Sequence, residues 1–184
     1  ARRLEGGYKS WRHHVLDTLA TRPGQLSFRV VAGPTGSGKS RLLDALARHG
    51  AQVLHLEALA AHRGSILGAL PDQPQPSQKR FDTALYSALH GFTPTQPVFV
   101  EAESRRIGQL TLPAAILDAI ATAPRLRIAA RLEARVNYLL ADYAHLCDPQ
   151  RIGTLLERMK ELRGKERVAH WHGLAAQGDF TQLV

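Results

Sequence analysis

The chain has 184 residues, enough for one full-sized domain with its own core and tight for two. Hydrophobic residues at 44% and charged ones at 22% exclude wholesale disorder, and no apolar run approaches the ~18 residues of a membrane span. Lysine and arginine number 24 against 16 acids, a net charge of +8. That excess points to a polyanion, RNA or DNA ahead of a membrane surface, or else to arginine scattered over a solvated surface; charge alone does not choose.

In chain order, residues 26–32 (LSFRVVA) read as a buried strand between Pro23-Gly24 and Gly33. Residues 40–48 place Leu42, Leu43 and Leu46 on one helical face, with Gly50 at the capping position. A second short strand follows at 53–56. Three prolines within 71–77 impose a loop, and Ser77 is the expected N-cap of a helix over 78–89 that carries Phe81, Leu85 and Leu89. Residues 97–101 form a third strand. A helix after Pro113 ends before Pro124, and 125–130 reads as a fourth strand. From Arg131 the pattern is helical, broken near Asp148-Pro149 and Gly164. The alternation predicts an α/β fold, a parallel sheet flanked by helices, over 23–130, and a helical subdomain over 131–184.

Gly33-Pro34-Thr35-Gly36-Ser37-Gly38-Lys39-Ser40 matches the phosphate-binding loop G-x-x-x-x-G-K-[ST], with a strand before it and a helix starting within it. Glycines at 33, 36 and 38 allow backbone angles that aim successive N–H groups at an anion, and the helix terminus adds positive charge. Lys39 reaches the outer phosphate oxygens and Ser40 is placed to ligate magnesium. In a parallel sheet the strand carboxyl ends share one edge with this loop. Glu101, Glu103 and Glu57 follow strands there, with Glu101 the expected magnesium partner of Ser40. Arg63-Gly64-Ser65 reads as a phosphate or ribose clamp, and Arg105 stands beside the acids. The histidines lack zinc spacing, and Cys147, the one cysteine, is expected to be buried and structural; alone it excludes an internal disulfide and a multi-cysteine zinc site.

Several segments together resemble the bacterial tRNA 2-selenouridine synthases, which join a rhodanese domain to a P-loop domain. They are Leu4-Glu5-Gly6-Gly7-Tyr8-Lys9, the loop Gly33 to Ser40, Leu56-Glu57-x-Leu59-Ala60-x-His62-Arg63-Gly64-Ser65, Gln75-Pro76-Ser77-Gln78-Lys79-x-Phe81, and Val100-Glu101-x-Glu103-Ser104-Arg105-x-Ile107-Gly108. The resemblance implies conversion of wobble 2-thiouridine in tRNA to 2-selenouridine through an S-geranylated intermediate. Geranyl diphosphate and selenophosphate are then the substrates. It assigns phosphate binding to Gly33, Thr35, Gly36, Ser37, Gly38, Lys39 and Ser40. Substrate binding falls to Glu57, Arg63, Ser65, Gln75, Ser77, Gln78, Lys79 and Arg105. Catalysis falls to Lys39, Glu101, Glu103 and Arg105, with magnesium on Ser40 and Glu101. Residues 1–22 then read as the end of the rhodanese domain and a linker helix, the rest of that domain being absent, and the setting as cytoplasmic. The alternatives are a P-loop kinase passing the ATP γ-phosphate to a small molecule, and a non-catalytic nucleotide-binding module.

Overall fold

The computed structural model describes residues 5–65, 67–70 and 73–184. They group into two compact units. The first takes Ala1–Gly33 and Lys39–Arg127; the second takes Pro34–Gly38 and Ile128–Val184.

The first unit contains α1 (Gly7–Thr21), β1 (Phe28–Ala32), α2 (Lys39–Arg48), β2 (Gln52–Leu54), α3 (Leu56–Ala60) and α4 (Gln78–Gly91). It continues with β3 (Val98–Glu101), the hairpin strands β4 (Arg106–Ile107) and β5 (Leu110–Thr111), α5 (Ala114–Thr122) and β6 (Arg125–Arg127). Four strands form one parallel sheet in the order β2-β3-β1-β6. The β1-to-β2 connection passes over β3 in one direction, while the connections β2-to-β3 and β3-to-β6 run the other way. Right-handed crossovers therefore put α2 on one face and α4 and α5 on the opposite face. All four strands end on one edge, which sets the first residues after β2 and β3 side by side.

Val30, Val98 and Val100 of the central strands are fully buried and meet Phe81, Leu85 and Leu89 of α4 and Ile116 and Ile120 of α5. The same cluster takes in Val15 and Leu19 of α1. Arg12 pairs with Asp82 at 2.7 Å, and the Arg22 guanidinium donates to the carbonyls of Leu89 and Phe92. The amino-terminal helix thus packs into this unit's core. Strand β6 is an exposed edge that stops at Arg127, short of the expected residue 130; its two arginines leave it charged, which discourages edge pairing. The second strand also stops early, at Leu54, because the Leu56 amide turns to the Glu101 carboxylate and opens α3. Of the proline-rich loop, Pro71 and Asp72 lie outside the described residues, as does Leu4 of the amino-terminal segment.

The second unit holds α6 (Leu132–Asp142), α7 (Pro149–Glu157), α8 (Lys160–Arg163), α9 (Lys165–Ala176) and α10 (Phe180–Leu183). Asp148 caps α7, its Oδ1 accepting from the amides of Gln150 and Arg151, with Pro149 in the first turn. Gly164, at φ 84°, separates α8 from α9. Ile152, Leu156, Val168 and Ala175 make a small buried cluster between α7 and α9. Cys147 is exposed rather than buried, its thiol 3.7 Å from the Tyr143 carbonyl. Among the described residues no helix is long and apolar enough to cross a membrane.

Candidate functional site

The phosphate-loop sequence folds as its glycine spacing requires. Gly36 and Gly38 take φ of 78° and 83°, while Gly33 stays outside the left-handed region, so two glycines rather than three use that freedom. The Ser37 amide closes a turn onto the Pro34 carbonyl at 3.1 Å. The Ser37 hydroxyl is buried without a hydrogen-bond partner, which costs free energy unless a ligand supplies one. Within the second unit, Arg135 Nε of α6 donates to the Thr35 carbonyl at 3.0 Å. A Cβ built on Gly36 would lie 2.8 Å from Leu139 Cγ and 2.9 Å from the Arg135 carbonyl. Only glycine fits under that helix.

In the first unit Lys39 opens α2 and its Nζ donates to the Gly33 carbonyl at 3.0 Å. Ser40 Oγ donates to Glu57 Oε2 at 3.4 Å. Glu57 sits in the first turn of α3, just past the end of β2. Its side chain lies against that of Glu103, two residues past β3. Burial pushes the Glu103 carboxyl up to about 7, and the charge of Glu57, its hydrogen bond and the charge of Glu101 push the same way. Glu101 is 1% exposed and its Oε2 accepts from the Leu56 amide at 3.0 Å. Burial raises it too to about 7, over the opposing pull of that N–H. Two carboxyls, Glu101 and Glu103, are therefore raised towards neutral pH beside Glu57.

The turn after α3 is fitted to this cluster. His62, nearly buried, accepts from the Gly64 amide through Nδ1 at 3.2 Å. That bond leaves the proton on Nε2, and burial lowers the ring's proton affinity although Glu57 pulls it up. Gly64, at φ 68°, brings the backbone so close to Glu103 that a Cβ would lie 2.8 Å from both carboxyl oxygens. Arg63 and Ser65 flank this glycine on a turn closed by the bond from the Arg63 amide to the Gly68 carbonyl. The sequence named the arginine and the serine, but the histidine and the glycine do the positioning. Their adjacency in His-Arg-Gly-Ser was the available signal.

The structure assembles Ser40, Glu57, Glu101 and Glu103 but gives other expected site residues different surroundings. Ser40 meets Glu57 and not Glu101, whose oxygen is taken by the Leu56 amide. The Gln75 amide is spent on backbone: Nε2 donates to the Ala60 and Ile107 carbonyls, and Oε1 accepts from Gln109. Gln78 brackets Thr111 in the same manner, at 2.9 Å each way. Ser77 caps α4, accepting from the Arg80 amide. Lys79 and Arg105 are exposed. Among the described residues, no three His, Cys, Asp or Glu side chains are disposed to hold a metal ion by themselves.

A parallel sheet in this order, with the glycine loop between its central strand and α2, defines a P-loop NTPase-like α/β domain. The family model described as the tRNA 2-selenouridine synthase AAA domain matches residues 26–168. The chain is 35% identical over 182 residues to a Shewanella halifaxensis protein named tRNA 2-selenouridine synthase, a match spanning 98% of this chain and 47% of that one. Proteins of the same name from Hahella chejuensis and Alcanivorax borkumensis are 38% and 39% identical, over 91% and 76% of this chain and 42% and 38% of theirs. The chain belongs to the tRNA 2-selenouridine synthase AAA-domain family. It spans less than half the length of these curated relatives, and no solved structure matches it.

Proposed function

We propose that this chain is the part of a tRNA 2-selenouridine synthase that holds the phosphorylated donor against the wobble 2-thiouridine of tRNA. The observation that carries the reading is the contact of Ser40, the last residue of the phosphate loop, with Glu57, beside which burial raises the Glu103 carboxyl to about 7. The unpartnered Ser37 hydroxyl within that loop supports it.

In the geranyl step the thiouridine sulfur attacks C1 of geranyl diphosphate. A sulfur–carbon bond forms, the carbon–oxygen bond breaks, diphosphate leaves with the electron pair, and the uracil ring gives up its N3 proton. Lys39 and the loop amides stabilise the charge gathering on the diphosphate. Glu103, its carboxyl raised to about 7 by burial and by the charges of Glu57 and Glu101, takes the proton the ring loses, and a base of that strength is best matched to neutral conditions. Selenium of selenophosphate then bonds to C2, the C2–S bond breaks and the geranyl thiol leaves with a proton, a better leaving group than the bare thiocarbonyl sulfur, and water cleaves the Se–P bond to release phosphate. Arg63 and Ser65 lie beside the carboxyls to contact substrate, and Arg105 and Lys79 to contact tRNA. Gln75 and Gln78 serve the same end by holding the hairpin, and Ser77 by capping α4.

Ser40 Oγ and Glu57 would be the residues to hold a magnesium ion at this site. It would neutralise charge on the leaving diphosphate. The selenium exchange draws on the remainder of the protein, a rhodanese domain included, in the cytoplasm where tRNA is modified.

The test incubates this chain with tRNA containing 2-thiouridine and with geranyl diphosphate, and reads the nucleoside masses. A geranylated product, lost in Lys39→Ala together with geranyl diphosphate affinity but without loss of fold, supports the reading. No product and no diphosphate binding overturns it. ATP turnover without RNA would favour a kinase instead.

A further inference from the structure

The division into two units locates the positive charge. The first unit carries sixteen of the lysines and arginines against nine of the acids; the helical unit carries eight against seven. The net charge therefore belongs almost wholly to the α/β unit. Two of its nine acids, Glu101 and Glu103, are partly protonated near neutral pH, and Asp82 is neutralised by Arg12.

Four of these cations stand together. Lys79 and Arg80 project from the first turn of α4, and Arg105 and Arg106 lie at the start of the β4–β5 hairpin; all four are exposed. None of them forms an ion pair with a described residue. The framework between them is rigid. Arg106 pairs with Thr111 across the hairpin, one strand spacing or about 5 Å away. Thr111 is gripped on both its amide and its carbonyl by Gln78, the residue next to Lys79. Gln75 holds Ile107 and Gln109 at the hairpin turn, lying so close to Gly108 that any Cβ there would collide with it. Arg12 donates to the Lys79 carbonyl at 3.2 Å, and Ser104 to the Arg106 carbonyl at 2.6 Å. Ile107, Leu110 and Leu112 bury the hairpin's other side. A short hairpin and a helix start whose exposed charged residues are all cations, cross-braced by two glutamines, are built to hold a fixed spacing of positive charge.

We infer that Lys79, Arg80, Arg105 and Arg106 form a track for the phosphate backbone of RNA, with Gln75 and Gln78 as its positioning residues. The inference rests on the tRNA reading above and adds the surface that would bear the tRNA. Backbone contacts position the nucleic acid without reading its bases, and each one releases counterions.

The test is a fluorescence-anisotropy titration of the 184-residue chain with a labelled RNA stem-loop across a salt series. The fourfold variant K79A/R80A/R105A/R106A is compared with R125A/R127A on strand β6, and far-UV circular dichroism confirms that each is folded. At about 0.7 per contact, the four cations account for about 3 in the slope of log affinity against log salt. Over a fourfold rise in salt the wild-type chain then loses about 50-fold more affinity than the fourfold variant. The two double variants K79A/R80A and R105A/R106A should each remove about half that slope, which guards against a misfolded fourfold variant. Equal slopes in the fourfold variant and wild type, or an equal loss in R125A/R127A, overturn the track while leaving the tRNA reading intact. Displacement of the RNA by polyglutamate at equal charge also overturns it. Failure of the wild-type chain to bind RNA at all removes the tRNA reading and the track together.

Discussion

Replacing Glu101 by glutamine tests the carboxyl pocket through stability alone. In the folded chain Glu101 titrates near 7, against 4.5 for an ordinary glutamate. As pH rises from about 4 to about 8 the unfolded chain releases this proton first, so the wild-type protein loses stability across that window. The difference corresponds to about 3 kcal/mol. Glutamine keeps an oxygen to accept the Leu56 amide but never has to bury a charge. Glu101→Gln should therefore match wild type near pH 4 and exceed it by about 3 kcal/mol near pH 8. The assay is urea unfolding in a Trp171→Phe background, in which Trp11, packed on Tyr86 in the first unit, reports that unit. A stability gap of the same size at both ends of the range, or a variant weaker than wild type near pH 8, would refute the pocket.

Other substitutions test neighbouring claims. Leu19→Ala, at a position 2% exposed in the α1 core, should cost about 2–5 kcal/mol by urea unfolding; a loss under ~1 kcal/mol would return α1 to the status of an appended linker. Gly64→Ala forces a left-handed residue to carry a Cβ against the Glu103 carboxyl, so unfolding should come about 1–2 kcal/mol earlier and Glu103, followed by carboxyl-carbon NMR, should titrate nearer the ordinary glutamate range. An unmoved resonance would show that Gly64 does not shape the pair. Arg12→Ala strips a buried partner, its own side chain 13% exposed, from Asp82, and should cost about 3 kcal/mol, with much of that recovered when Asp82→Leu is added. Additive losses in this double-mutant cycle would mean the two side chains do not interact.

The sequence alone determined what is contiguous. Eight consecutive residues contain the strand end, the glycines and the lysine of the phosphate loop, and leucine or phenylalanine at helical spacing marks α2 and α4. A backbone that must turn at Gly36 and Gly38 leaves its mark locally, because the constraint is steric and acts within one or two residues. Tertiary structure alone decided what lies between segments. Glu57 and Glu103, 46 positions apart, meet only because β2 and β3 are neighbours and end on one edge. Gln75 and Gln78 look like ligands in a string of letters, yet their amides find backbone carbonyls and amides 15 to 34 residues away. The two-residue strands of the hairpin were too short to show a period. The packing of the helix that opens the chain is likewise a tertiary fact, set by the burial of Val15 and Leu19 in this core. Charge follows the same division: composition gives its sum, and only the fold says which surface it occupies, since electrostatic fields depend on distance in space and not on separation along the chain.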